Sequence, residues 1–261
     1  MFCSTMWVVS LLILSGILGV DATRFGKVNT TAGESVVLPC TLTPHINLQH
    51  LRFYWQDERD VVLYSFNKGE EKPEHVKDLY RNRTTAFPQS MANGNISVQL
   101  KDPTLEDDQR VFKAYARDVN DRVYPVKPIC EVELHVGVHY KHAFLNVNEE
   151  AMTAVCTTRG FPQPLISWTL ERLSNDSKLV SEPRNGHTTA VQDAGDRLYN
   201  SSSTIDIGEG HYRSLTCHIY NPTLNETVIK THVFDTGTQM RAPWVWAVLL
   251  IAFLVLTMNM I

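Results

Sequence analysis

The chain has no run of lysine and arginine. It carries 24 basic residues against 28 acidic ones, a formal net charge of −4. Without a basic stripe it lacks the electrostatic footprint of a nucleic-acid-binding protein, so no nucleic-acid partner is expected. There is no Gly-rich phosphate cradle behind a strand, no GxSxG elbow and no HExxH pair. The usual layouts for phosphoryl transfer, serine hydrolysis and zinc peptidase chemistry are therefore missing. No acid, base and nucleophile set emerges elsewhere, so neither an enzyme nor a cofactor is expected. No long apolar stretch of helical period appears in the middle of the chain. At 43% hydrophobic and 20% charged residues, the composition excludes a collagen-like or wholly disordered chain. Cysteine is scarce and odd in number: Cys3, Cys40, Cys130, Cys156 and Cys217.

What is present starts at the two ends. Trp7 to Leu18 is apolar but short for a bilayer, and small residues follow at Gly19 and at Val20-Asp21-Ala22. Residues 1–22 thus read as a signal peptide, cleaved after Ala22 or Gly19, against the alternative of an uncleaved anchor. Cleavage removes Cys3 and delivers four cysteines to an oxidising compartment, where disulfides persist. Residues 244–261 are apolar from Trp244 to Met258, with no basic flank beyond. Two membrane anchors fit. One is a single transmembrane span with essentially no tail. The other is a glycolipid-attachment signal, with small residues around Asp235-Thr236-Gly237 and a spacer over 237–243. Either makes the lipid bilayer a partner and the outer face of the plasma membrane the expected location. A homodimer stays open.

Between the ends lie roughly 220 residues, which suits two domains of about 110. Their apolar residues alternate. Ile96, Val98 and Leu100 share one face, as do Cys130, Val132, Leu134 and Val136, and the second half repeats the pattern at Ile166/Trp168, Ile205/Ile207 and Leu215/Cys217. A period of two means half-buried strands, and many short strands separated by Pro, Gly and Asn mean β-sandwiches. The cysteines divide as Cys40/Cys130 and Cys156/Cys217. Trp55 follows the first cysteine of one pair and Trp168 the first cysteine of the other. That spacing is the immunoglobulin pattern of a tryptophan packed on an inter-sheet disulfide. The predicted fold is all-β: two tandem immunoglobulin-like sandwiches, variable-type over 23–136 and constant-type over 137–236.

Two departures stand out. The tyrosine expected two residues before Cys217 is Leu215. In the first domain, Asp108-Gln109-Arg110-Val111-Phe112-Lys113-Ala114 has the strand F pattern with alanine where cysteine belongs. Cys130 lies on the inward face of the neighbouring strand, so a Cys40–Cys130 bridge is expected. Two free thiols or intermolecular pairing are the alternatives. Asp108 is expected to pair with an arginine, Arg83 first and Arg81 second. Glycosylation sequons stand at Asn29, Asn82, Asn95, Asn175, Asn200 and Asn225, each calling for a solvent-facing asparagine. His135, His139 and His142 lack a cysteine or carboxylate at ligand spacing, so no metal site is expected.

Function then has to come from a surface. Strand C turns Phe53 and Trp55 inward and Arg52, Tyr54 and Gln56 outward. Strand F turns Phe112 and Ala114 inward and Lys113, Tyr115 and Arg117 outward. Tyrosine beside arginine is a composition favoured in binding hot spots, and Tyr124 lies in the loop beyond strand F. The stretches Phe53-Tyr54-Trp55-Gln56, Tyr80-Arg81-Asn82-Arg83, Glu131 to Val136, and Gly160-Phe161-Pro162-Gln163-Pro164 before Ile166-Ser167-Trp168 resemble the B7 family of T-cell costimulatory ligands, related to butyrophilins. The resemblance implies display on antigen-presenting or tissue cells. It also implies binding of a CD28/ICOS-type receptor protein on T cells through the front sheet of the variable-type domain, with Tyr54, Gln56, Tyr115 and Tyr64 as contacts. It leaves open a co-inhibitory or butyrophilin-like adhesion role and a glycolipid-anchored receptor or decoy.

Overall fold

The structure, a computed structural model, describes residues 24–42, 47–120, 127–173 and 178–234. The expected signal peptide, linker and anchor, together with Tyr124 and Asn175, lie outside the described residues. The first half of the chain forms β1 (Arg24–Thr31), β2 (Val36–Leu38), β3 (Leu51–Asp57), β4 (Val62–Asn67), β5 (Glu70–Glu71), β6 (Thr84–Ala86), β7 (Val98–Leu100), β8 (Val111–Asp118) and β9 (Cys130–Asn148). The second half adds β10 (Thr153–Phe161), β11 (Leu165–Leu173), β12 (Leu179–Arg184), β13 (His187–Gln192), β14 (Tyr199–Asp206), β15 (Ser214–Asn221) and β16 (Glu226–Val233).

These strands make two sandwiches in tandem. In the first, β9, β8, β3, β4 and β5 lie side by side and β1 joins β9 in parallel. This front sheet faces a back sheet in the order β2-β7-β6. In the second, β13-β14-β10-β9 faces β12-β11-β15-β16. Alternation drives the arrangement. On β3, every second residue from Leu51 to Asp57 is buried, so one side of the pleat supplies the core and the other is left for solvent.

Each sandwich has its own apolar core. Phe53, Trp55, Phe112 and Leu134 are fully buried in the first, and Trp168, Leu170, Cys217 and Ile219 are buried in the second. Indole and backbone polar groups find partners inside. Trp55 Nε1 donates to the Ile96 carbonyl at 2.8 Å, and Trp168 Nε1 donates to Ser203 Oγ at 3.0 Å. Leaving either donor unpaired in the core would cost about 1–3 kcal/mol. Cys40 is bonded to Cys130 with Cα atoms 5.9 Å apart, and Cys156 to Cys217 at 6.5 Å. Leu215 is fully buried in the second core, filling the place of the missing tyrosine with an alkyl group.

β9 belongs to both sandwiches. Its first residues pair with β1 and β8, and the rest pair with β10. Gly137 lies where it passes from one to the other. A Cβ there would sit 2.7 Å from Leu224 Cγ, so only glycine lets the Thr223–Leu224 turn close on the strand. Asn29 Nδ2 donates to the Thr223 carbonyl at 2.8 Å, and Arg197 Nη1 donates to the Leu105 carbonyl at 2.8 Å. The two sandwiches are thus joined by a continuous strand and by side-chain bonds on either side of it.

Candidate functional site: a tyrosine-centred face

β3 and β8 are neighbours in the front sheet, with Tyr54 directly opposite Tyr115, Arg52 opposite Arg117, and Gln56 opposite Lys113. The pleat turns all six away from the core. The two tyrosine rings stack with centroids 5.1 Å apart and planes 13° from parallel. Partial burial of each ring raises the pKa of both hydroxyls. Tyr115 reinforces the rise at Tyr54, and Asp60 and Glu131 reinforce it at Tyr115. Both phenols therefore stay protonated, as hydrogen-bond donors, at neutral pH.

Charge is graded along this face. At one end, Lys113 Nζ lies 3.8 Å from Glu131 Oε1, and Gln56 Nε2 donates to Asp60 Oδ1 at 2.6 Å. At the other end two guanidinium groups, on Arg52 and Arg117, occupy paired positions. Like charges directly opposite on a sheet work against each other. The face therefore offers an aromatic platform with two arginines at one end and, at the other, a lysine and a glutamine each set against a carboxylate.

Tyr64 is a correction to the sequence reading. It is 4% exposed, its ring stacks on Phe53 at 5.6 Å, and its hydroxyl donates to Glu71 Oε1 at 2.8 Å. The reason is register. Tyr64 pairs directly with Trp55, as Phe66 pairs with Phe53, and antiparallel partners share a face, so Tyr64 turns inward with Trp55. It lines the wall of a cleft of about 330 Å³ with Glu71, Arg81 and Thr84.

A second correction concerns the acidic run. Arg83 pairs with Asp107, Nη2 to Oδ2 at 2.7 Å, not with Asp108. Asp107 is the carboxylate buried beneath Arg83. Asp108 faces β9 instead, and its Oδ1 accepts the Val136 amide at 2.8 Å. Arg81 pairs with Asp78 at the surface.

Under the face lies a network that sequence reasoning missed. Asp57, at the end of β3, is fully buried. It accepts the amides of Arg59 and Val61, the Tyr80 hydroxyl at 3.0 Å, and guanidinium groups from Arg59 at 3.0 Å and Arg110 at 3.1 Å. Burial alone would raise the Asp57 pKa. The Val61 amide, the Arg59 guanidinium and the Tyr80 hydroxyl outweigh it, leaving the pKa below the ordinary carboxylate value. Arg110 also approaches Asp107 at 3.7 Å, so the network continues to Arg83. It ties the end of β3 to the start of β8, the two strands that carry the tyrosines. Tyr80 in Tyr80-Arg81-Asn82-Arg83 was a visible signal. Its partner is 23 residues away in sequence and meets it only in the fold.

The sequons fall on both sandwiches. Asn82, Asn200 and Asn225 are exposed. Asn29 is exposed but spends its amide on Thr223. Asn95 is half-buried, with Nδ2 donating to Ser90 Oγ and Oδ1 accepting the Ser97 amide. Of the histidines, His139 meets Glu226 at 2.8 Å and His135 meets Glu133 at 3.4 Å. No group of three or more potential metal ligands gathers among the described residues. Among the same residues no helix is long and apolar enough to cross a membrane.

No protein-family model matches the chain. It is 24% identical to human butyrophilin subfamily 1 member A1 over 226 residues, covering 84% of this chain and 40% of that protein. It is 25% identical to human ICOS ligand over 215 residues, covering 79% and 68%. It is 24% identical to the CD276 antigen homolog of Xenopus laevis over 221 residues, covering 80% and 67%. Among solved structures, bovine butyrophilin superposes with a TM-score of 0.60 at 17% identity, over 82% of this chain and 95% of that one. A chain from the crystal structure of ICOS in complex with ICOS-L and an anti ICOS-L VNAR domain superposes at 0.57 with 23% identity, over 80% and 100%. The chain thus spans less than half the length of the butyrophilin it matches and about two thirds of the other two relatives. It is an immunoglobulin-fold protein and not an enzyme. The proteins it resembles include butyrophilins and ICOS ligand, each at about a quarter identity.

Proposed function

We propose that this chain is a cell-surface ligand of the costimulatory kind. In this reading it engages a CD28/ICOS-type receptor on T cells through the outward side of β3 and β8, much as the name ICOS ligand implies for that relative. Residues 23–136 form the receptor-facing, variable-type domain. Residues 137–236 form a constant-type support, and residues 244–261 anchor the chain at the outer side of the plasma membrane. The observation that carries the reading is the Tyr54–Tyr115 stack. Two large rings held rigid at a surface supply contact area at little further entropic cost, and arginine beside them supplies directional hydrogen bonds. Arg52, Gln56, Lys113 and Arg117 complete the contact set. Similarity to human ICOS ligand over 79% of this chain supports it.

The test displays the full chain on cells and titrates soluble CD28- and ICOS-type receptors. Binding is expected for the wild type. Replacing both tyrosines by alanine is expected to weaken it by about 30-fold, about 2 kcal/mol, without lowering surface display. Failure of the wild type to bind any receptor of this type overturns the reading. Full binding by a well-displayed double variant moves the site elsewhere on the molecule.

A further inference from the structure

In the second sandwich, the outer side of β13-β14-β10-β9 holds a sequon beside an exposed aromatic ring. Asn200 on β14 is paired with Arg159 on β10 and with Val191 on β13. Ser202, which completes the sequon, is paired with Thr157, and Thr157 is paired with Phe144 on β9. Antiparallel partners share a face. Ser201 and Ser203 are buried, so Asn200, Ser202 and their partners turn outward. Phe144 is left 63% exposed and Val191 69%. Asn29 and Asn95 spend their amides on Thr223 and Ser90, whereas Asn200 stands in mid-strand at the surface.

A bulge shapes the surface next to the sequon. Between the Thr157 and Arg159 rungs, β9 runs from Phe144 to Lys141 and so advances one residue more than β10. His142 takes up the extra length at φ 52°. Beside it lies a shallow groove of about 380 Å³ lined by His142, Phe144, Thr157, Arg159, Asn200 and Ser202. Arg159 is held in place there by its bond to Asp196 and lies 3.5 Å from Asp193. The groove thus combines one aromatic ring, several hydroxyls and a fixed guanidinium. Apolar area with a few placed polar groups is the composition that holds a small polar ligand.

We propose that Asn200 carries an N-linked glycan whose inner sugars lie in this groove, an apolar sugar face on the Phe144 ring and hydroxyls on Thr157 and Arg159. The occupant follows from the sequon, because its asparagine is itself part of the groove wall. Reach agrees. Phe144 stands two strands and one two-residue step from Asn200, roughly 12 Å across the sheet, within the span of the first few sugars. Tethering removes most of the cost of binding. A short link gives an effective concentration of about millimolar, so a contact too weak to hold a free sugar is enough. The Arg159 guanidinium has donors to spare beyond Asp196. Attachment is a group transfer from a lipid-linked oligosaccharide diphosphate. The bond from Asn200 Nδ2 to the sugar C1 forms, the C1–O bond to the diphosphate breaks, one Nδ2 proton is lost and the lipid diphosphate leaves. The glycan covers Phe144 and closes this side of the second sandwich to protein partners. The proposal rests on the proposed cell-surface location, since only a chain on the secretory route meets that donor.

The test displays the full chain on animal cells and reads it by glycopeptide mass spectrometry and hydroxyl-radical footprinting. Asn200 is expected to be occupied and Phe144 protected. Asn200→Gln and Ser202→Ala each remove the sequon. In both, oxidation of Phe144 is expected to rise by about twofold or more, since the bare side chain is largely open to water. Phe144→Ser keeps the sequon and removes the ring. Its Asn200 glycan is expected to be released from the folded chain by an endoglycosidase about threefold faster than that of the wild type. An empty Asn200 beside occupied Asn82 and Asn225 overturns this proposal alone. Empty sequons throughout a well-expressed chain overturn the cell-surface location with it. Oxidation of Phe144 that stays equally high with and without the glycan shows the sugars standing free in solvent and overturns the proposal. Oxidation that stays equally low gives the face to another occupant and does the same, as does an unchanged release rate in Phe144→Ser.

Discussion

Ala114 lies directly across the ladder from Cys130, and it is Cys130 that is bonded to Cys40. The bridge thus joins the back sheet to β9, the strand that continues into the second sandwich, instead of to β8. Because the loop it closes spans 90 residues, Cys130→Ala is expected to cost about 2–4 kcal/mol of stability. It should also expose a reactive thiol at Cys40 on unfolding. Moving the cysteine one strand over, with Ala114→Cys added to Cys130→Ala, is expected to restore a bridge to Cys40 and most of the stability. Thermal unfolding and non-reduced peptide mapping check both. An unchanged melting temperature for Cys130→Ala would remove the structural role argued for this bond.

The stacked pair predicts non-additivity. Tyr54 and Tyr115 hold each other in place, so removing either loosens the other, and the second substitution has less left to lose. A double-mutant cycle on receptor binding is expected to give a coupling of about 0.5–1.5 kcal/mol, typical of an aromatic pair. Strictly additive losses would mean that the rings contact the partner independently.

The fold was legible because alternation and the paired Cys and Trp residues are local patterns in the chain. The outward sets of β3 and β8 were legible for the same reason, since a strand that buries Phe53 and Trp55 must expose Tyr54. Tyr64 was not. Leu63, Tyr64, Ser65 and Phe66 are all buried, so alternation within β4 does not tell the two sides apart, and only the pairing of Tyr64 with Trp55 settles which way it turns. The Arg83 partner failed for a related reason, because Asp107 and Asp108 are adjacent and only the path of the chain decides which one turns inward. The Asp57 network showed only one member, Tyr80, in the sequence, because its partners meet from β3, from Arg110 just before β8 and from the segment around Tyr80.

That network predicts an acid-sensitive stability. The Asp57 carboxylate has a lowered pKa in the folded state, so its contribution is fully present above the unfolded value of about 3.9 and is lost as pH falls through the folded value. Asp57→Asn is expected to lower stability at pH 7 and to flatten the loss between about pH 4 and pH 2. Arg110→Ala removes the more buried of the two guanidinium groups on Asp57 and a partner of buried Asp107, and is expected to cost about 3 kcal/mol. Arg59 is half-exposed, and its removal is expected to shift the melting temperature less than that of Arg110. Unfolding curves against pH decide it. Equal acid sensitivity in wild type and Asp57→Asn would assign the effect to other carboxylates.

Gly137 predicts how tightly the sandwiches are held together. The Thr223–Leu224 turn closes on its Cα, and the amide of Asn29 reaches the Thr223 carbonyl beside it. Valine at this position must push Leu224 aside, an overpacking cost of about 1–3 kcal/mol. The turn then moves off β9 and the Asn29 bond lengthens. Gly137→Val is expected to lower the melting temperature and to speed exchange of amides in the 221–225 turn, with those around Trp55 and Trp168 still protected. Hydrogen exchange followed by mass spectrometry separates the outcomes. Loss of protection throughout one sandwich would show that Gly137 matters for folding of a core. Selective loss at the turn is what a contact between the two sandwiches requires.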